Sequence, residues 1–171
     1  MKITVENNSQ QVLAVLQDLL IRASDPKPVL RLIGEHLTES TKERFVSGTG
    51  PEGNAWAENR PITLAMYPGE YKGNFKKDGS LSKKGQTRLT SKKPLTGKTR
   101  ELQTTISYQL NGETLMVGSA LPYAAMQQFG GKTAASSMIP NKTIPARPFL
   151  GLSADDETTI IDIVSRYLAV S

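Results

Sequence analysis

Side chains able to make or break a bond are scarce in this sequence. His36 is the only histidine, and cysteine is absent from the 171 residues. Serine and threonine abound, but a hydroxyl nucleophile needs a base, and His36 is the one imidazole available. It lies beside Glu35 and three residues before Glu39, where it reads as an ordinary boundary residue. A metal there would need carboxylates brought from afar. Gly97-Lys98-Thr99 resembles the end of a phosphate-binding loop. Lys92, however, stands where the upstream glycine belongs, and no short apolar strand leads in. Asp155-Asp156-Glu157 invite a metal reading, but at a helix start they complement the positive end of its dipole. No enzymatic activity, metal or cofactor is expected.

Charge is the next signal. The chain carries +5 in all, yet Lys72, Lys76, Lys77, Lys83, Lys84, Arg88, Lys92, Lys93 and Lys98 face only Glu70 and Asp78 between Met66 and Lys98. Nine cations less two carboxylates make +7 there, which leaves −2 for everything else. The basicity belongs to one element, and the remainder is mildly acidic. On a Gly- and Ser-rich loop these cations could follow a phosphate backbone, with Tyr67, Tyr71 and Phe75 available to stack. Equally, the loop is solvated until a protein partner covers it. No groove-reading helix is apparent, so any contact with nucleic acid would be nonspecific.

Two further segments combine unusual residues. Tyr123-Ala124-Ala125-Met126-Gln127-Gln128-Phe129-Gly130-Gly131 mixes small residues with aromatics and amides. Pro145-Ala146-Arg147-Pro148-Phe149-Leu150 is stiff and extended, because proline disfavours helix for the residue before it. Arg147, held between prolines, is expected to reach a carboxylate or main-chain carbonyls across a subunit boundary. Tyr123, Gln128, Phe129, Arg147 and Phe149 are the expected interface residues. Trp56, the lone tryptophan, is expected to pack over the helices and pin the start of the basic loop.

These residues need a frame. An apolar content of 37% against 22% charged residues indicates a folded chain long enough for one domain. Ile3 and Val5 alternate as a short strand. Val12, Leu13, Leu16, Leu19, Leu20 and Ala23 follow helical spacing. Asp25-Pro26-Lys27-Pro28 ends that helix and opens another, with Val29, Leu30, Ile33, Leu37 and Phe45 inward. Residues 48 to 94 read as a long loop. A helical turn is expected near Thr96–Leu102, then a hairpin about Asn111-Gly112 in a type I′ turn. A short helix at Tyr123–Phe129 follows, and a last helix begins after Ser153 with Ile160, Ile161, Val164, Tyr167 and Leu168 inside. The fold class is α+β: one domain over 1–171 with an N-terminal helix pair, an antiparallel sheet containing the hairpin, and a C-terminal helix. Residues 66–94 form a basic flexible insertion in it. Met1–Glu6 lacks the pattern of a signal peptide. No apolar run nears the roughly 18 residues of a membrane span, so a soluble protein without membrane partners is expected.

The same segments carry a resemblance. Phe45 with Pro51-Glu52-Gly53-Asn54-Ala55-Trp56, Leu95-Thr96-Gly97, Val117-Gly118, Tyr123-Ala124-Ala125, Gln128-Phe129-Gly130-Gly131 and Ile144-Pro145-Ala146-Arg147-Pro148-Phe149-Leu150-Gly151 stand in one order along the chain. Together they resemble the phage virion morphogenesis family, which includes tail-completion proteins of Mu-like and P2-like phages and prophages. The lysine-rich stretch matches none of its motifs. The resemblance implies a non-enzymatic protein of the tail or neck, self-assembled into a ring, with a hexamer as the expected number. It also implies contacts with other tail and head-connector proteins, and a place in the virion after assembly in the bacterial host cytoplasm.

Overall fold

Phe45, Trp56, Leu102, Ile106, Ala124 and Phe149, drawn from distant parts of the sequence, pack into one buried cluster. The computed structural model describes residues 10–137 and 139–169. The strand expected at Lys2–Glu6 lies outside them. Helix α1 spans Gln10–Ser24 and α2 spans Lys27–Ser47. Between them the Asp25 carboxylate accepts the Lys27 N–H, and Pro28 occupies a position that has no intrahelical N–H partner to lose. Gly48 closes α2 in the left-handed conformation (φ +80°), donating its N–H to Arg44 O, which glycine adopts without a Cβ penalty. Val29, Ile33 and Phe45 are buried along α2, as their spacing predicts, with Leu30 and Leu37 half-buried.

The hairpin pairs β1 (Ser107–Asn111) with β2 (Thr114–Gly118), antiparallel, Asn111 opposite Thr114. That register shifts the turn one residue from the type I′ expectation: Gly112 and Glu113 are central. Only Gly112 has positive φ (+62°), as a turn with glycine first requires. The hairpin lies on α2 at Gly34, where a Cβ would sit 2.6 Å from the Tyr108 ring. Any larger residue would push the layers apart.

Helix α3 covers Pro61–Met66, a 3-10 turn Tyr67–Glu70, α4 Lys83–Thr90 and α5 Glu101–Thr104. The stretch read as a loop, 66–94 included, therefore holds regular structure. Periodic apolar residues are not what orders it. Fully buried Asn74 donates to Pro68 O (2.8 Å) and accepts from Arg88 Nη1 (2.9 Å). Ser82 caps α4 by accepting the Gly85 N–H, and Gly85 packs directly on the Asn74 carbonyl.

Helix α6 runs Ala124–Phe129, and strands β3 (Gly131–Lys132) and β4 (Thr143–Ile144) pair antiparallel. Helix α7, Ala154–Leu168, opens with a full capping box between Ser153 and Asp156. Its inner face is Ile160, Ile163, Val164, Tyr167 and Leu168. Ile161, expected inside, is exposed, because it stands 100° round the helix from Ile160. Helix α7 packs on α2 and meets α1, where Arg22 donates to the Tyr167 and Ala169 carbonyls. The architecture is one small α+β domain, with helices around two small antiparallel sheets among the described residues.

Candidate functional site

The arm after β4 is positioned by α6. The Gln127 carbonyl accepts the Arg147 N–H at 2.8 Å. Gln128 Oε1 accepts the N–H groups of Phe149 (2.9 Å) and Leu150 (3.0 Å), and its Nε2 donates to Leu150 O (3.0 Å). One side chain thus satisfies three main-chain groups of a segment whose prolines keep it out of a sheet. Trp56 Nε1 donates to Pro148 O at 2.7 Å while its ring meets Phe45 edge-on, centroids 5.2 Å apart. Phe149 is 0% exposed in the same cluster. Phe149 is therefore spent inside its own chain, and half-buried Gln128 bonds the arm with its whole amide.

Arg147 is buried as well, and its carbonyl partners belong to its own chain. Nε donates to Ala57 O (2.7 Å), Nη2 to Glu58 O (2.8 Å) and Nη1 to Gln127 Oε1 (3.4 Å). The expectation of main-chain carbonyls holds, but the boundary they cross is between segments, not subunits. Arg147 backs a cleft of about 360 Å³ whose walls include Arg60, Lys92, Glu101, Tyr123 and Gln127. Arg60 donates to Thr143 O and Lys92 to Thr96 O. Among the described residues, no carboxylate forms a salt bridge with Arg60, Lys92 or Arg147. Burial pushes the Arg147 guanidinium below its ordinary value, and the nearby Arg60 charge adds to this. Burial likewise lowers Lys92, with Glu70 opposing and Arg147 adding. Such a cleft favours a negatively charged group.

The structure thus brings Tyr123, Arg147 and Lys92 together. Phe129, 78% exposed, projects from the C-terminal end of α6. The other basic residues divide into two sets. Arg88 lies over the Tyr71 ring at 4.4 Å from its centroid, Lys98 over the same ring at 5.7 Å and Lys92 over Tyr67 at 4.7 Å. Tyr67 and Tyr71 stack edge-on, and burial together with the Tyr71 hydroxyl pushes the Tyr67 phenol up to about 12. Lys93 donates to Val46 O. Lys72, Lys76, Lys77, Lys83 and Lys84 are exposed and form no salt bridge among the described residues.

One polar centre has no counterpart in the sequence reading. Buried Arg44 pairs with Asp156 (2.5 Å) and donates to the carbonyls of Phe149 (2.8 Å) and Gly151 (2.9 Å). His36 Nε2 meets the other Asp156 oxygen at 2.9 Å. Burial opposes the Asp156 charge, but hydrogen bonds from Ser40 and Ser153 and the Arg44 charge outweigh it, holding the carboxyl at about 2. The Ser153-to-Asp156 spacing marks the cap in sequence. Nothing local marks Arg44 as its partner.

The model of the phage virion morphogenesis family matches residues 7–169. The chain belongs to that family. It is also similar to the Mu-like prophage FluMu G protein 2 of Haemophilus influenzae, 27% identical over 161 residues, spanning 94% of this chain and 91% of the relative. No solved structure matches the chain. Membership in the virion morphogenesis family gives the protein a structural part in building a phage particle, associated with the virion. Among the described residues, no helix is long and apolar enough to cross a membrane.

Proposed function

We propose that this protein completes the phage tail and makes it competent to join a DNA-filled head. It acts by assembling into a ring, with six copies the expected number, and by contacts with tail and head-connector proteins. No bond is made or broken. The observation that carries this reading is Phe129: a large aromatic, 78% exposed, on a short helix clamped by Gln127 and Gln128 to the arm. A solvent-facing aromatic on a helix fixed to its domain is a characteristic anchor of a protein contact. The adjoining cationic cleft would receive an acidic side chain of the partner. Complementation of a phage lacking this gene tests the reading. Loss of the gene should yield filled heads and tails that stay apart in electron micrographs, and joined infectious particles without it would refute the proposal.

A second reading, nonspecific contact with DNA, draws support from the five exposed lysines Lys72, Lys76, Lys77, Lys83 and Lys84. Duplex binding that weakens steeply with salt and vanishes on neutralising these lysines would favour it. Both roles are compatible if that segment faces a DNA-filled channel.

A further inference from the structure

We propose that the apolar face of α1 is a pairing surface that docks the same helix of a second copy about a twofold axis, a contact additional to the head-to-tail one that closes a ring; it presupposes the self-assembly proposed above. Leu13, Leu16, Leu19 and Leu20 are between 38% and 70% exposed. The opposite edge of α1, where Asp18 pairs with Arg22 at 2.9 Å, is the one that meets α7. The helix therefore turns its polar edge to its own domain and its apolar stripe to solvent, the reverse of a helix that completes a core. A helix of 15 residues is marginal in water without a partner for such a stripe.

Area, spacing and charge each point to a copy of the same helix. The four exposed side chains offer roughly 400 Å² of surface, about half of the ~800 Å² that each partner buries in a standard interface and near its apolar share. Leu13, Leu16, Leu20 and Ala23 step by three, four and three residues, the seam spacing of helices that interdigitate side chains with one another. Leu19 widens the stripe on one flank. The only charges on α1 are Asp18 and Arg22, which already neutralise each other, so two copies meet without like-charge repulsion.

The chain contains no cysteine, which gives cross-linking a clean background. Leu16→Cys and Leu19→Cys, made singly in the full chain, should form covalent dimers under mild oxidation at least tenfold faster than Gln86→Cys on the exposed face of α4. Leu16→Glu combined with Leu20→Glu should weaken self-association by light scattering at least a hundredfold, with circular dichroism unchanged. If the Glu variant does not fold, the cross-linking comparison decides. An oligomer of wild-type mass in the folded Glu variant, or cross-linking no faster than the control, overturns this surface while leaving self-assembly intact. A wild-type chain monomeric at every concentration, alone and with virion partners, defeats both.

Discussion

Arg44 and Asp156 lie 112 residues apart in sequence and meet inside the protein at 2.5 Å, tying the end of α2 to the start of α7. The same guanidinium holds the Phe149 and Gly151 carbonyls, so this pair also fixes the exit of the Pro-rich arm. A buried ion pair is no guarantee of net stability, but breaking it strands a charge. Asp156→Asn should therefore lower unfolding stability by about 3 kcal/mol or more, read by urea titration at neutral pH.

The pH dependence follows from the same carboxyl. Its folded-state value is about 2, below the ordinary 3.8, so it favours folding when ionised. Its contribution, about 2 kcal/mol, is complete above roughly pH 5 and is lost as pH falls through 4 to 2. Thermal melts from pH 6 to pH 1.5 should show this acid limb in the wild type. Asp156→Asn should flatten it.

Gly85 meets the Asn74 carbonyl oxygen so closely that a Cβ would stand 2.3 Å from it. Gly85→Ala must therefore displace α4 from its seat, costing about 2 kcal/mol of overpacking. Amide exchange should accelerate at least tenfold within residues 67–93, and trypsin should cut sooner at Lys83 and Lys84. Amides of α2 and the hairpin should keep their protection. Unchanged exchange in α4 would show that Asn74 does not organise this segment.

Gln128→Ala removes two acceptor bonds and one donor bond from the arm at a stroke. Leaving part-buried main-chain groups unmet costs about 1 to 3 kcal/mol each when water cannot replace the partner, so a total loss of about 3 kcal/mol is expected. Trp56 provides the readout, since its indole bonds Pro148 of the same arm. Its emission should shift to the red in the variant at temperatures where the wild type is unchanged.

Phe129→Ala should behave in the opposite way. With 78% of the residue exposed, stability should change by no more than about 0.5 kcal/mol. Infectivity in the complementation assay should nevertheless fall at least tenfold. A folded variant with full infectivity would remove Phe129 as a docking anchor.

What the sequence made readable was whatever depends on neighbours along the chain. The Pro26–Pro28 break, the helical stripe of α2, the α7 stripe apart from Ile161 and the Ser153 cap are local features, and each is where spacing places it. The hairpin was legible from Asn111-Gly112, but the register that puts Gly112 first in the turn is set by how Tyr108 and Leu115 fit over Gly34. The basic segment read as loop because its order rests on Asn74, Arg88 and two tyrosine rings, none of which leaves a periodic trace. The cleft shows the same division. Arg147 stood out between its prolines, whereas Arg60 joins it only through the fold, and Phe149 and Gln128 proved to be the arm's internal fastening.

In the proposed function the protein works as a built part of the particle, and a cryo-electron microscopic reconstruction of the head–tail junction in infectious particles shows whether it is there. The expected density is a closed ring of this chain at the head-proximal end of the tail, with Phe129 seated in a neighbouring protein. Infectious particles whose junction contains none of this protein would contradict it.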